Sequence, residues 1–505
     1  MIARTSMKIV PLLLSMMLLV ACGPAEDTAQ PRAGARNVIL LVGDGFGAPQ
    51  MSLGIQTATL VEKRQLNIES LMLDGNTGYA QLLPFENIVI DSAAAATQLA
   101  TGQAVRNGTL GLNPDGYLIE SILEWAHKRG LGTALVTNMR ITHATPAAFA
   151  VHQSSRYNSE QALLDDLLQE GDVDVLLGGG ARALVPAGSR VSEALPGIPE
   201  DLDGESIRDD AFNWLEELTG QGYTIASDAL SLQAAAGYAT KLLGMFSASN
   251  LPYVIDRRHM NVSSVPTLAE MTSAALDVLS RRDEGFFMLV EGGRIDYGGH
   301  ANDAGTMLHE ILDFDEAVGK ALEFQRNHAD TLVIVTGDHG TGGFSFTDAN
   351  LGPAADLLLD SGIVYQPGSR YPSRDQLEIL FRQKATYSFI LKQADMDPEK
   401  LVELVLEHTG LEMTMDEARE ALVRDEQGLA GTKDFRHYHG DPDDSASAVL
   451  GLALARHTYV VWSTGEHTSD PIPTYGRGPG AEKLRGIYPN THIYSVMRET
   501  LEAGL

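Results

Sequence analysis

Five nearly unbroken apolar runs most constrain this chain: 38–42 (VILLV), 133–137 (TALVT), 173–177 (VDVLL), 286–290 (FFMLV) and 332–336 (LVIVT). A strand with one face in water alternates polar and apolar residues. Strands without that alternation are buried on both faces, as in a parallel sheet covered by helices. Between the runs, 117–128 and 268–281 carry helical periodicity. This alternation predicts an α/β fold: a doubly wound, mostly parallel central sheet with helices on both faces.

The rhythm breaks at 343–444, where strand signals thin and helix caps multiply. Asp397-Pro398 starts a helix and Gly410 stops it. Thr414 with Glu417 forms a capping box for the next. We read this stretch as a mainly helical insertion into a catalytic domain spanning 37–505, serving as a lid or subunit contact. His437 and His439 within it (RHYHGD) read as a solvated loop pair.

The N-terminus reads as a targeting segment. Arg4 and Lys8 precede an apolar run, 9–20, too short to span a bilayer but suited to a secretory leader. Leu19-Val20-Ala21-Cys22 resembles a bacterial lipobox, which implies cleavage after residue 21 and lipidation of Cys22. The alternative is an ordinary signal peptide (1–21) cut near Ala21. Residues 22–36, rich in Gly, Pro and Ala, read as a flexible tether. Outer-membrane or periplasmic attachment through the lipid follows from the lipobox reading. Cys22 is the sole cysteine, so metal sites in the folded part must use His, Asp, Glu and hydroxyls. With 67 acidic against 37 basic residues, the formal charge is −30. Such a surface repels nucleic acid and anionic lipid, so nucleic-acid binding is not expected. An anionic substrate must be captured by local cations.

Polar clusters follow the strands at their carboxyl ends, where open α/β sheets place their sites. Asp44 follows the first run within GDGFG. Asp91-Ser92 opens an alanine-rich helix, where free N–H groups and the dipole favour an alkoxide and a phosphate. His143, Thr145 and Arg156 lie in RITHATPAAFAVHQSSR, His143 and Thr145 two apart in a stretch that reads as extended before Pro146. Arg156 offers a planar fork for phosphate oxygens. Glu291, Asp296 and His300 follow the fourth run, Asp338-His339 the fifth, and Glu466-His467 the stretch 459–462. Each cluster alone is explained by a cap or a turn. Together, that many converging charges require cations to stay ionised.

These segments, DSAxxAT, HATPAA, VEGGxID…H, TxDHxxGG and EHT…P, closely resemble the alkaline phosphatase family in type and order, from Asn37 to the last helix. The resemblance implies a homodimer acting on small phosphate monoesters with two Zn2+ and one Mg2+ per subunit. It implies that Asp296, His300 and His467 hold one zinc, and that Asp44, Asp338 and His339 hold the second beside Ser92. Asp44, Thr145 and Glu291 would hold magnesium, and Arg156 would clamp phosphate. The donor types suit these metals independently. His143, at the third site, stands where the best-studied bacterial form has aspartate and animal enzymes have histidine. Tyr297 stands where those forms have Lys or His. The long segment between His339 and His467 resembles the insertion of some marine bacterial members, which crosses a dimer interface. The implied activity is hydrolysis through a phosphoserine on Ser92. Rival readings are a phosphodiesterase or nucleotide pyrophosphatase, disfavoured by Ser92, Thr145 and Glu291, and a non-catalytic metal- or phosphate-binding lipoprotein. A sulfatase is disfavoured because Ser92 lacks the C/S-x-P-x-R context.

Overall fold

The computed structural model describes residues 34–73, 76–83, 85–170, 173–349, 351–352 and 354–505. The leader, Cys22 and the tether up to residue 33 lie outside them. Ten strands form one sheet. Eight come in chain order: β1 (Asn37–Gly43), β2 (Thr77–Gln81), β3 (Gly132–Arg140), β4 (Val175–Gly179), β5 (Tyr223–Ala226), β6 (Lys241–Met245), β7 (Phe286–Gly292) and β8 (Thr331–Gly337). Two C-terminal strands, Ile472–Arg477 and Gly486–Pro489, complete it. The order across the sheet is Gly486–Pro489, β2, Ile472–Arg477, β8, β1, β7, β3, β4, β6, β5. Ile472–Arg477 runs antiparallel to both neighbours. The other pairings are parallel.

Burial explains the composition of the central strands. Every residue of β1, β7 and β8 is buried. Val38, Leu40 and Val42 pack on one face with helices Ser92–Thr101, Ile122–His127 and Thr491–Gly504. Ile39 and Leu41 pack on the other with helices Ala48–Thr57, Leu268–Leu279 and Ala304–Asn327. Removing each such Leu or Ile from water contributes roughly 1.5–3 kcal/mol.

The same strands set the level of the site. Gly43 pairs with both Gly292 and Gly337, so β1, β7 and β8 end side by side. The residues that follow, Asp44 and Asp338 among them, emerge together. Glycine is required at this level. A Cβ on Gly337 would lie 2.4 Å from the Phe46 carbonyl oxygen, and one on Gly43 2.6 Å from Phe46 Cβ.

Several sequence expectations need correction. The 117–128 helix is only Ile122–His127, because Ser121 and Glu124 close a capping box that fixes its start. The 459–462 stretch does hold a strand, Val460–Trp462, which pairs with Phe344–Phe346 rather than joining the ten-stranded sheet. Thr145 is not extended: it sits in a single helical turn, Ala144–Ala147, preceded by an extended His143. Pro146 is tolerated because first-turn N–H groups have no partner within a helix.

In the 343–444 stretch, Asp397 caps helix Pro398–Thr409 and Gly410 ends it with φ 72°. The Thr414–Glu417 box is formed. The last helix of this unit, Pro442–Thr458, runs through residue 444. Its Val449, Leu450 and Leu454 share a core with Ile390, Leu401 and Val405, so the helical unit continues to Thr458.

Gly337→Ala is expected to destabilise the protein by about 1–3 kcal/mol, because a backbone carbonyl blocks the added methyl. The urea midpoint of the variant measures this; a midpoint equal to wild type would contradict the close-approach argument.

Candidate active site

Helix Ser92–Thr101 is buried along its whole length, which fits its run of alanines. Asp91 caps it, accepting from the Ala94 and Gly108 amides at 3.0 Å each. Ser92 therefore opens the helix with its hydroxyl at the positive end. Its Oγ lies 3.1 Å from His339 Nε2. Arg156 reaches the same place from a different loop and is held by Asp91, Nη1 to Oδ2 at 3.4 Å.

Three groups of metal-ligating side chains surround this hydroxyl. Helix Arg294–His300 puts Asp296 and His300 one turn apart on one face, with Asp296 Oδ2 3.1 Å from His300 Nε2. His467 joins them from the strand His467–Thr468, its Nε2 3.2 Å from His300 Nε2 and 3.7 Å from Asp296 Oδ1. The second group forms at the tips of β1 and β8. His339 Nε2 lies 3.2 Å from Asp338 Oδ2 and 3.5 Å from Asp44 Oδ1. The third sits between β1, β3 and β7: His143 Nδ1 is 2.9 Å from Glu291 Oε1 and 3.8 Å from Asp44 Oδ2. Asp296/His300/His467, Asp44/Asp296/His339 and Asp44/His143/Glu291 each converge closely enough to hold one ion; in the second set Asp296 stands where the resemblance implied Asp338, which lies 3.2 Å from His339.

The donor chemistry tests whether cations fit. His300 Nδ1 faces the Gly465 carbonyl at 2.5 Å and His467 Nδ1 faces that of Ile90 at 3.3 Å. If each Nδ1–H donates to its carbonyl, the two Nε2 atoms carry lone pairs, and those lone pairs face one another and the Asp296 carboxylate. Such an arrangement is repulsive until a metal ion or a proton sits between them; in the cation-free chain, burial opposes a proton on His300, and Asp296 outweighs it, raising His300 to about 10. Both oxygens of Asp44, Oδ2 of Asp338 and Oγ1 of Thr145 are buried without any hydrogen-bond partner. Unpartnered buried carboxylate oxygens are expensive, and a cation removes the expense. The oxygen-rich third group suits a hard ion and the imidazole-bearing groups suit zinc.

In the cation-free chain, burial and then the carboxylates of Asp338, Asp296 and Glu291 push Asp44 well above the usual carboxylate range. Burial and then Asp296 push Asp338 up to about 7. Burial holds His339 well below the usual imidazole range.

These groups open into a cavity of about 330 Å³ that reaches Ser92, Arg156, His143 and Tyr297. A larger cleft of about 490 Å³ beside Leu53, Phe344 and Leu377 is lined mainly by apolar groups and gathers no such side chains. Of the site residues read from the sequence, Ser92, His143, Arg156, Asp296, His300 and His467 line this cavity, while Asp44, Thr145, Glu291, Asp338 and His339 are buried; Cys22 lies outside the described residues. His439 needs correction. It is buried rather than solvated, stacked on Phe435 and 2.9 Å from Asn302 Oδ1, and it lines the cavity while His437 stays exposed.

Two supporting residues escaped sequence reasoning. Thr341 donates to Asp296 Oδ1 and Thr137 to Glu291 Oε2, each at 2.5 Å. Both fix a carboxylate's orientation. Thr137 pairs directly with Glu291 in the β3–β7 register, so knowing the strand order would have revealed it.

A mostly parallel α/β sheet whose strand tips gather a helix-opening serine and metal-ligating clusters defines a metal-binding hydrolase. The family model for alkaline phosphatase matches residues 35–503. The chain belongs to the alkaline phosphatase family. It is 29% identical to alkaline phosphatase 4 of Bacillus subtilis over 488 residues, covering 95% of this chain and 92% of that protein. It is 33% identical to the Escherichia coli alkaline phosphatase over 345 residues, covering 60% of this chain and 70% of that one. Among solved structures, the Thermus thermophilus alkaline phosphatase aligns with a TM-score of 0.78 at 26% identity, covering 97% of this chain and 96% of the other. A cold-active alkaline phosphatase from a psychrophilic Shewanella sp. aligns at 0.70 and 27%, covering 92% and 99%.

The raised Asp338 pKa sets a pH dependence. A carboxyl whose folded pKa lies above its unfolded value stabilises the fold fully only below the unfolded value, near 4, and that stability drains as pH rises through about 7. EDTA-treated protein is therefore expected to lose Tm between about pH 5 and about pH 8 relative to protein supplied with zinc and magnesium. Parallel Tm–pH profiles for the two preparations would contradict this account of the site.

Proposed function

We propose that the protein hydrolyses phosphate monoesters by double displacement, with Ser92 as the nucleophile. The observation that carries this is the placement of Ser92 Oγ, 3.1 Å from His339 at the start of a buried helix, with Arg156 lining the same cavity. Asp296, His300 and His467 would hold one zinc, Asp44, Asp338 and His339 a second, and Asp44, Thr145 and Glu291 a magnesium with His143 beside it. When bound, these ions supply charge that keeps the carboxylates ionised, lowers the pKa of the serine hydroxyl and offsets the charge of phosphoryl oxygens.

The chain's own groups do the rest. Arg156, steered by Asp91, presents two N–H donors to phosphate oxygens. With the Ala94 amide taken by Asp91, the Ser92 and Ala93 amides at the positive end of helix Ser92–Thr101 would favour the same anion. Ser92 Oγ gives up its proton to solvent and attacks phosphorus; the bond to the ester oxygen breaks, and the departing alkoxide takes a proton from solvent, so that no net proton is gained or lost. Water then attacks the phosphoserine from the vacated side, the Oγ–P bond breaks, Ser92 Oγ regains the proton that water gives up, and hydrogen phosphate leaves. Thr341 and Thr137 hold Asp296 and Glu291 in place.

The leader supports export, with lipid attachment at Cys22 to the cell envelope, outer membrane or periplasm. No helix among the described residues is long and apolar enough to cross a membrane. A homodimer with the 343–444 insertion in its contact is supported by an exposed apolar hairpin. Leu357, Leu358, Ile363 and Val364 on its two short strands and turn are 53–69% exposed.

Ser92→Ala is expected to lower kcat on p-nitrophenyl phosphate by on the order of 10⁴-fold or more while bound metal stays at the wild-type level. Full activity of that variant would overturn the nucleophile assignment. Turnover of bis-p-nitrophenyl phosphate in preference to the monoester would favour a diesterase instead. Arg156→Ala is expected to weaken inhibition by inorganic phosphate about 10- to 100-fold with metal content unchanged; equal inhibition constants would count against the clamp.

A further inference from the structure

Two residues past His300 the chain turns on Asn302, whose φ is 50°. Asn adopts this left-handed conformation more readily than most residues with side chains. The Asn302 side chain is buried and fully used. Its Nδ2 donates to the carbonyls of Gly299 at 2.8 Å and Thr464 at 3.0 Å. With both donors spent, its Oδ1 can only accept, so His439 Nε2, 2.9 Å away, carries the proton between them.

His439 belongs to the helical unit and also packs on the loop before His467. A Cβ on Gly465 would lie 2.5 Å from His439 Cδ2. The Tyr438 carbonyl accepts from the Gly465 amide at 2.8 Å. The loop is therefore held at Thr464 by Asn302 and at Gly465 by Tyr438 and His439. This loop is one arm of the Asp296/His300/His467 group. Its Gly465 carbonyl faces His300 Nδ1, and two residues further on the chain delivers His467. The peptide that sets which nitrogen of His300 faces the site is thus itself placed by the helical unit.

Docking of that unit does not depend on this tie. Asp303 accepts from Gln383 Nε2 and the Tyr387 amide at 2.8 Å each. Asp256 accepts from the Thr386 amide at 2.9 Å and the Thr386 hydroxyl at 3.0 Å. Nor is His439 a member of any of the three groups close enough to hold an ion. What remains for the His439–Asn302 pair is the loop.

We infer that His439 and Asn302 are positioning residues for the metal ion of the Asp296/His300/His467 group, and that the helical unit thereby governs how firmly this one ion is retained. The pair acts through the Gly465 carbonyl on His300 and through the loop on His467. Partners that orient metal ligands in this way change metal affinity by about 10- to 100-fold. The Asp44/His143/Glu291 group takes no ligand from this loop. The inference rests on the reading of the first group as a zinc site.

The test follows zinc release from the zinc- and magnesium-loaded protein to an excess of a chromophoric chelator. In His439→Ala, one zinc equivalent is expected to leave about 10- to 100-fold faster than in wild type, while the second equivalent and the magnesium content stay unchanged. His439→Gln keeps an N–H donor for Asn302 and is expected to return the rate to within about threefold of wild type. Asn302→Gly keeps the left-handed turn and cuts the same tie from its other end. It is expected to match His439→Ala, and the double variant to be no faster than either, because both changes break one path. Wild-type release rates in the two single variants overturn the proposal. So do equal acceleration of both zinc equivalents, which marks general loosening, a His439→Gln protein as fast as His439→Ala, and multiplied effects in the double variant. Should His439→Ala not fold, the release curve of Asn302→Gly decides. A folded wild-type protein that takes up no zinc has a different meaning: it sinks the metal reading of the group, and the positioning role with it.

Discussion

Three strands packed side by side end at Gly43, Gly292 and Gly337, and the acidic groups that follow must share one dry space. Asp44, Glu291 and His339 are fully buried there, and Asp296 and Asp338 nearly so. Their mutual repulsion is the interaction on which the rest depends. A fold maximising stability would not place unpartnered carboxylate oxygens against one another in its core. The strain is tolerated because the surrounding sheet is over-determined: each central strand is buried on both faces, and its register is locked by two neighbours. A rigid frame then turns an unfavourable cluster into a preorganised one, in which cations satisfy the groups that protein atoms leave unpaired.

The same constraint explains the orientation of the supporting groups. His300 and His467 each turn Nδ1 toward a backbone carbonyl, which leaves Nε2 to the site. Thr341 and Thr137 each occupy a carboxylate oxygen and leave the other available. Asn302 carries this order outward. Its amide donates to the carbonyls of Gly299 and Thr464, while its oxygen faces His439 of the helical unit. One side chain thus ties the helix bearing Asp296 and His300, the loop before His467, and the segment that carries Asp441.

The sheet core and most of the site were legible in the sequence for one physical reason. Doubly buried strands leave unbroken apolar runs, and functional groups sit at their carboxyl ends. Where burial is partial, the signal fades. β2, with its alternating exposed residues, the four-residue β5, and Gly486–Pro489 near the sheet edge leave no such run. Thr137 and Thr341 were invisible because their role depends on which strand or helix lies opposite. His439 was misread for the same reason: RHYHGD is polar in sequence, and what buries this histidine is Phe435 stacked on it and Asn302, far away in the chain.

Net charge and local charge also separate in this molecule. A formal charge of −30 opposes the approach of any phosphate ester, so capture must be local. Arg156 and the start of helix Ser92–Thr101 line the floor of the cavity and are the cationic and dipolar groups there suited to that capture. Asp441, Asp444 and Glu466 lie at the rim of the same cavity, where burial pushes Asp444 up to about 7. The floor is built by elements that the parallel sheet fixes in place, whereas Asp441 and Asp444 at the rim come from the start of the helical unit's last helix.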